Sequence, residues 1–442
     1  MRARFSRYRH GGTLATLLIL FVLVLGACSA GSSGANGLNL SLGLAGSTAD
    51  HPAKPPKVAT SAPSGTLAFV YDNQVWLDDG SGAKQLTHLV LSNGATITWG
   101  PLVWSPDGTY LAFALAQGSS TSNGQAVTGP IYYVDTASGS TTVTTATGSI
   151  YGHSYTWYGN DFLVYSAGSA INMFGPISTG DPRVWAVLSP FNSNGANNTS
   201  PDGGFVRYGD LTITRQNMLF FTRMSLTALG ATTKAGTAAL DYARMPLPPT
   251  DITPTDLANP NYYPIGPYNY TRAADLGQVY TGPSGIYTAG AWQISAGGTY
   301  LVTQNVTSVD AKSHAVTSSY CAATINYGYS NCIPLFKAAA KTSSTIPATI
   351  SISPDGTAAA LTSKNLYIEN TDGTGSARLG NAGWTTPPAW SPDSKAVAVT
   401  RLNKATTDAN GVTRFDTTVV LSTDSSTGTT LIAGAQNLSW KP

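Results

Sequence analysis

The chain is short of charge. Lys, Arg, Asp and Glu together make up 10% of its 442 residues, and the formal net charge is +2. So small a balance gives no electrostatic footprint for nucleic acid and no basic patch for an anionic surface. Glu369 is the only glutamate. Histidine is scarce as well: five in all, with His10 and His51 near the N-terminus and His88, His153 and His314 dispersed. No His-x-x-x-His or Cys-x-x-Cys pair occurs, so the spacing of a zinc site is missing, and nothing points to a metal or another cofactor. Helical periodicity is also nearly absent from residue 64 onward, where Gly (46 in the chain) and Pro (26) punctuate short apolar runs.

What is present is one phrase, written three times. Leu102-Val103-Trp104-Ser105-Pro106-Asp107-Gly108 runs into Thr109–Ala114; Ile350-Ser351-Ile352-Ser353-Pro354-Asp355-Gly356 runs into Thr357–Leu361; Ala389-Trp390-Ser391-Pro392-Asp393-Ser394 runs into Lys395–Val399. Pro presets φ for a type I turn, Asp bonds local backbone, and Gly accepts the positive φ that follows. Each copy therefore reads strand, turn, strand. A hairpin that cannot bury its own face needs sister copies beside it, which is the logic of a repeat fold. Ala291–Val302 is a degenerate copy. Asn437-Leu438-Ser439-Trp440-Lys441-Pro442 looks like the opening strand of a further unit, while the first unit, from Thr66, lacks one. The economical expectation is that the last strand completes the first unit and removes a free sheet edge.

These hairpins, with Val75–Thr87 and Asn365–Leu379 running through Asp-Gly or Gly-rich turns, resemble the TolB-type, WD-repeat-like β-propeller family. The resemblance implies an all-β fold: a single β-propeller of about seven four-stranded blades over 64–442, with six and eight also compatible with the weakly marked third to fifth. It departs from true WD repeats in having no Trp-Asp dipeptide. Family members serve as scaffolds for protein partners or carry a hydrolase domain beside the propeller; neither the α/β domain of TolB nor a hydrolase domain is recognisable here.

The N-terminus reads as an address. Arg2, Arg4, Arg7 and Arg9 precede an apolar run from Leu14 to Ala27, about 14 residues where a membrane span needs about 20. It ends Leu25-Gly26-Ala27-Cys28, which resembles the bacterial lipobox. The resemblance implies cleavage of 1–27 as a signal peptide and a diacylglycerol anchor on Cys28, holding the protein on the extracytoplasmic side of a cell membrane. An ordinary secretory signal with an incidental Cys is the alternative. Residues 28–63, rich in Gly, Ser, Ala and Pro, read as a flexible tether. With Cys28 lipidated, Cys321 and Cys332 are left to pair as a disulfide or to stay as free thiols.

Chemistry is faint. Gly152-His153-Ser154-Tyr155-Thr156 nearly matches a nucleophile elbow but lacks the last Gly; a Gly-His bond across a blade fits His153 better. Asp161 and Asp210 are candidates for a carboxylate pair in a channel, though nothing selects them. The Pro- and Tyr-rich insertion at about 246–290 is more suggestive, with Tyr262, Tyr263, Tyr268 and Tyr270 as candidate binding residues. Tyrosine offers rigid contact area with a polar tip; packing against the fold is the competing role. The expectation is a non-catalytic binding or scaffold module for an envelope protein, the alternative being a glycan-binding or glycan-active surface protein.

Overall fold

Antiparallel hairpins dominate the computed structural model, which describes residues 56, 65–90, 97–117, 128–149, 153–167, 170–180, 182–188, 205–226, 236–245, 270–281, 287–310, 312–313, 315–325, 332–340, 348–363, 365–379, 387–407, 413–422 and 429–442. Among them are thirty strands and one four-residue helix, α1 (Lys337–Ala340). The chain is therefore nearly all β, as its β-branched and aromatic runs dictate.

The strands form six sheets. In the first, β1 (Leu67–Tyr71), β2 (Gln74–Asp78) and β3 (Ala83–Gln85) are joined by β30 (Gln436–Trp440) in the order β3-β2-β1-β30. Leu67 lies opposite Trp440 and Ala68 opposite Ser439, so the two ends of the described chain share one sheet. The second holds β4 (Ile97–Trp99), β5 (Val103–Trp104), β6 (Tyr110–Gln117), β7 (Thr128–Asp135) and β8 (Thr141–Ser149), with β4 and β5 both on β6. The third runs from β9 (Tyr155–Tyr158) through β10 (Phe162–Ser166) and β11 (Ile171–Gly175) to β12 (Arg183–Leu188).

Nine strands share the fourth sheet: β13 (Phe205–Ile213), β14 (Met218–Leu226), β15 (Gly236–Arg244), β16 (Thr271–Thr281), β17 (Tyr287–Thr288), β18 (Trp292–Ile294), β19 (Tyr300–Val309), β20 (Val316–Thr324) and β21 (Ile333–Leu335). It is two antiparallel runs, β13–β16 and β18–β21, joined where Gly277 pairs parallel with Val306. A Cβ on Gly277, at φ +79°, would lie 2.3 Å from the Val306 carbonyl oxygen, so only glycine allows this join. The last two sheets are β22 (Thr349–Ile352), β23 (Ala358–Thr362), β24 (Leu366–Asn370), β25 (Ala377–Leu379) and β26 (Ala389–Trp390), β27 (Ala396–Thr407), β28 (Thr413–Ser422), β29 (Thr429–Ala433).

Among the described residues, seven apolar clusters lie between consecutive strand groups. Val70 and Val75 meet Trp104 and Phe113; Ala114 and Ile131 meet Trp157 and Leu163; Val164 and Met173 meet Leu219 and Phe221. Leu240 and Leu276 meet Trp292 and Leu301, Val302 and Phe336 meet Ile352 and Leu361, and Ala360 and Ile368 meet Trp390 and Val397. The seventh brings Ala398 and Ile432 against Leu67, Phe69 and Trp440.

Tryptophans at the ends of first strands tie neighbouring sheets together. Trp440 Nε1 donates to the Ala389 carbonyl at 3.2 Å, Trp104 Nε1 to Ser439 O at 3.2 Å, and Trp157 Nε1 to Val103 O at 2.9 Å. In each case the acceptor is the residue just before the corresponding Trp of the preceding sheet. Trp390 breaks the series: its Nε1 is buried and has no partner among the described residues.

The repeated turns have one hydrogen-bond pattern. Ser105 Oγ, Ser353 Oγ and Ser391 Oγ each accept the amide five residues on, from Tyr110, Ala358 and Ala396, at 2.9 Å. Each serine donates in turn to the aspartate two residues on. Gly108 and Gly356 sit at φ +70° and +79°, and Ser394 holds the equivalent place at +61°. A Cβ at Gly356 would meet Tyr300 Cδ2 at 2.3 Å. Gly356→Ala is therefore expected to cost about 1–3 kcal/mol, read as a lower urea midpoint at unchanged slope.

Candidate functional site

The aspartates of the repeated turns are committed to their own loops. Burial pushes the Asp107 carboxyl up, but the Thr109 amide and the Ser105 and Thr109 hydroxyls outweigh it and hold the group below the ordinary carboxylate value. Asp355 is held low in the same way by Ser353 and Thr357. The Ser391 hydroxyl, with the Lys395 amide, lowers Asp393. These turns also reach their neighbours: Asn160 Oδ1, in the β9–β10 turn, accepts the Asp107 amide at 3.1 Å, and Ser394 Oγ accepts the Asp355 amide at 3.2 Å. Lys441 Nζ lies 5.7 Å from the centre of the Trp104 ring. The carboxylates here shape loops and are not free for acid–base work.

A different arrangement occupies the seam between the third sheet and β13–β16. His153, just before β9, donates its amide to Asp210 Oδ1 at 2.9 Å, and its carbonyl accepts the Leu211 amide. Both are bonds of the His153 main chain and run to the next sheet's first strand, beside the irregularity in β13 between Gly209 and Leu211, rather than across one blade. Burial pushes the His153 imidazole below its ordinary 6.5, and Asp210 opposes the shift. The unfolded chain then takes up the proton first, so stability is lost as pH falls through 6.5 toward the depressed folded value. His153→Gln is expected to flatten that stretch, where one proton gives a slope of up to about 1.4 kcal/mol per pH unit; urea melts of both proteins at pH 7.5 and 5.5 check it.

Tyr208, Arg223 and Asp241 lie on one face of β13–β15. Tyr208 pairs in register with Arg223, Phe221 with Asp241, and Asp241 with Arg272. Arg223 Nε donates to Asp241 Oδ2 at 2.5 Å and Nη1 to Ser225 Oγ at 3.2 Å. The Asp241 side chain is 1% exposed and that of Arg223 16%. Burial pushes Asp241 up despite the guanidinium beside it, and burial pushes Tyr208 well above the ordinary phenol value. The Tyr270 ring stands edge-on to Phe221 with centroids 5.5 Å apart, and Arg223 lies 5.7 Å from its centre.

Of the candidate binding tyrosines, Tyr270 is thus half-buried and packed against the core. Tyr262, Tyr263 and Tyr268 fall outside the described residues, as does Cys28. Tyr280 is a core residue at 3% exposure. Cys321 and Cys332 are joined by a disulfide, Cα atoms 5.4 Å apart. Asp161 and Asp210 are not brought together: Asp161 follows β9 and accepts from the Ser178 amide and hydroxyl, whereas Asp210 accepts from the His153 amide, ahead of β9. Among the described residues no group of three or more His, Cys, Asp or Glu is placed to hold a metal ion, and no helix is long and apolar enough to cross a membrane. The Arg223–Asp241 pair escaped sequence reasoning, since Tyr208, Arg223 and Asp241 come together only through strand register.

No family model matches the chain, and no curated protein matches it. Among solved structures it is similar to TolB from Acinetobacter baumannii, at 14% identity and a TM-score of 0.39, covering 85% of this chain and 66% of that one. It is also similar to the periplasmic gluconolactonase PpgL of Pseudomonas aeruginosa, at 15% identity and a TM-score of 0.47, covering 85% and 98%. A protein from Lactobacillus plantarum shares 10% identity at a TM-score of 0.46, covering 84% and 96%. At these scores none of them assigns a substrate or a partner.

Proposed function

We propose that this chain is a membrane-tethered β-propeller of seven four-stranded blades, closed by β30, that serves as a non-catalytic binding or scaffold module for a protein of the cell envelope. Lipid on Cys28 supplies the anchor, and residues 28–63 the reach. The observation that carries the reading is the run of seven core clusters, the seventh of which joins the β27 sheet to the β1 sheet through Trp440. A ring without a free edge gives its loops a rigid frame, and rigid framing of variable loops suits recognition. The repeated-turn aspartates, held low by their own loops, agree with a structural use of the repeat.

The test is cross-linking of the native protein in cells, followed by mass spectrometry. Reproducible links from 246–290 to one envelope protein are expected, together with release of the protein from the membrane fraction in a Cys28→Ala variant. Abundant membrane-bound protein without any protein cross-link contradicts the scaffold role.

A further inference from the structure

The Cys321–Cys332 disulfide has two unlike ends. Cys321 lies on β20 and is 9% exposed. Cys332 stands just before β21 and is exposed, as are Ile333 and Pro334 after it. β21 is the last strand of its run and only three residues long; among the described residues it pairs on one side only, with Tyr320, Cys321 and Ala322. Pro334 has no amide to give to that pairing.

From Leu335 onward the chain is anchored differently. Leu335 and Phe336 are each 1% exposed and sit in the cluster with Val302 and Ile352, which also takes Ala339 of α1. The Phe336 amide donates at 2.6 Å to Oε2 of Glu369, the only glutamate, buried on β24. Phe336 itself is at φ +49°, a left-handed conformation that a bulky residue rarely adopts, so the chain turns sharply there. The segment thus has a fixed elbow at 335–336. Ahead of it is a short exposed arm, and the disulfide is the covalent hold on that arm.

We propose that this disulfide is a redox-sensitive latch: a dithiol reductant opens it in the folded protein and releases 332–334 from β20, while the elbow and α1 stay in place. A thiolate of the reductant attacks the Cys332 sulfur, the accessible end. A mixed disulfide forms there, and the Cys321 sulfur leaves with the electron pair of the broken S–S bond and takes up a proton. The second thiolate of the reductant then displaces the Cys332 sulfur, which is protonated in turn. The protein gains two electrons and two protons, and the reductant ends as its own disulfide. Freed, the arm uncovers the outer edge of β20 at Cys321 and Ala322. The inference does not depend on the scaffold role.

The experiment treats the folded full chain with millimolar dithiothreitol, without denaturant. Thiols are trapped by alkylation and located by peptide mass spectrometry, which keeps Cys28 apart from the other two. Alkylation of both Cys321 and Cys332 is expected, and glutathione in place of dithiothreitol is expected to leave its mixed disulfide on Cys332. Hydrogen exchange of the reduced protein should be tenfold or more faster at 321–322 and 332–333 and unchanged at 336–340 and 366–370. Cys332→Ser should show the same pattern with no reductant present; if that variant does not fold, the reduced wild type decides. A bridge that stays intact until urea unfolds the chain overturns the proposal. So does a mixed disulfide on Cys321, a reduced protein with unchanged exchange, or a loss of protection that spreads through β19 and β24, as a purely structural bridge would give.

Discussion

Deletion of residues 436–442 is expected to abolish the folded protein at 25 °C. The segment is β30, and it contributes to three sheets at once. Within its own sheet it pairs with β1. Toward β26 and β27 it buries Leu438 and Trp440 in the cluster with Ala398 and Ile432, and Trp440 donates to Ala389 O. Toward the second sheet it accepts the Trp104 indole at Ser439 O and donates Asn437 Nδ2 to Gly100 O at 3.0 Å. Loss of a buried Trp costs about 3–5 kcal/mol and of a buried Leu about 2–5. The sum, about 5–10 kcal/mol, is comparable with the whole stability of an ordinary domain, about 5–15 kcal/mol. Trp440→Phe is the companion variant. It keeps most of the ring and removes one hydrogen bond, so a loss of about 1–2 kcal/mol is expected. Soluble yield and urea unfolding read both. A truncated chain with the wild-type midpoint would mean that β30 is an ornament on the first sheet.

Arg223→Met carries the second large effect. Removing one partner of a buried ion pair leaves the other charged and dry, which costs about 3–5 kcal/mol. Asp241, 1% exposed in its side chain, is the group left behind. Its carboxyl is already pushed up by burial while Arg223 pulls it down; without the guanidinium it rises further. An acid whose folded pKa lies above its unfolded value contributes stability below the unfolded value and loses it as pH rises through the folded one. The variant is therefore expected to be weakest near neutrality and to recover as acid protonates Asp241. That dependence runs opposite to the one His153 imposes on the wild type. Unfolding of Arg223→Met measured from pH 7.5 to 4.5 checks the sign, and a deficit independent of pH would mean that lost packing, not stranded charge, is responsible.

Much of the fold was legible because its cues are local. Ser-Pro-Asp-Gly sets a turn from four neighbouring residues, and the apolar flanks set the strands; the three copies lie where β5–β6, β22–β23 and β26–β27 meet. The pairing of Leu67 with Trp440 was legible for a different reason: an opening strand without a unit and a unit without an opening strand were both visible. The junction at Gly277 and Val306 was not, since nothing in either residue announces a parallel contact. The polar seam was illegible for the same reason. Its members sit on β13, β14, β15 and just before β16, and only register brings Tyr208 opposite Arg223 and Phe221 opposite Asp241. The Tyr-rich insertion drew the eye by composition, yet Tyr270, the candidate binding tyrosine among the described residues, packs on Phe221.

The central claim is that the sheets close into one ring through the last strand, and hydrogen exchange of the intact chain tests it most directly. The account predicts that amides of 436–440 exchange as slowly as those of 67–78 and that both lose protection together as urea is added, because one sheet opens as one unit. Fast exchange at 436–440 while 67–78 and 396–400 stay protected would contradict it and leave an open array with a loosely attached end.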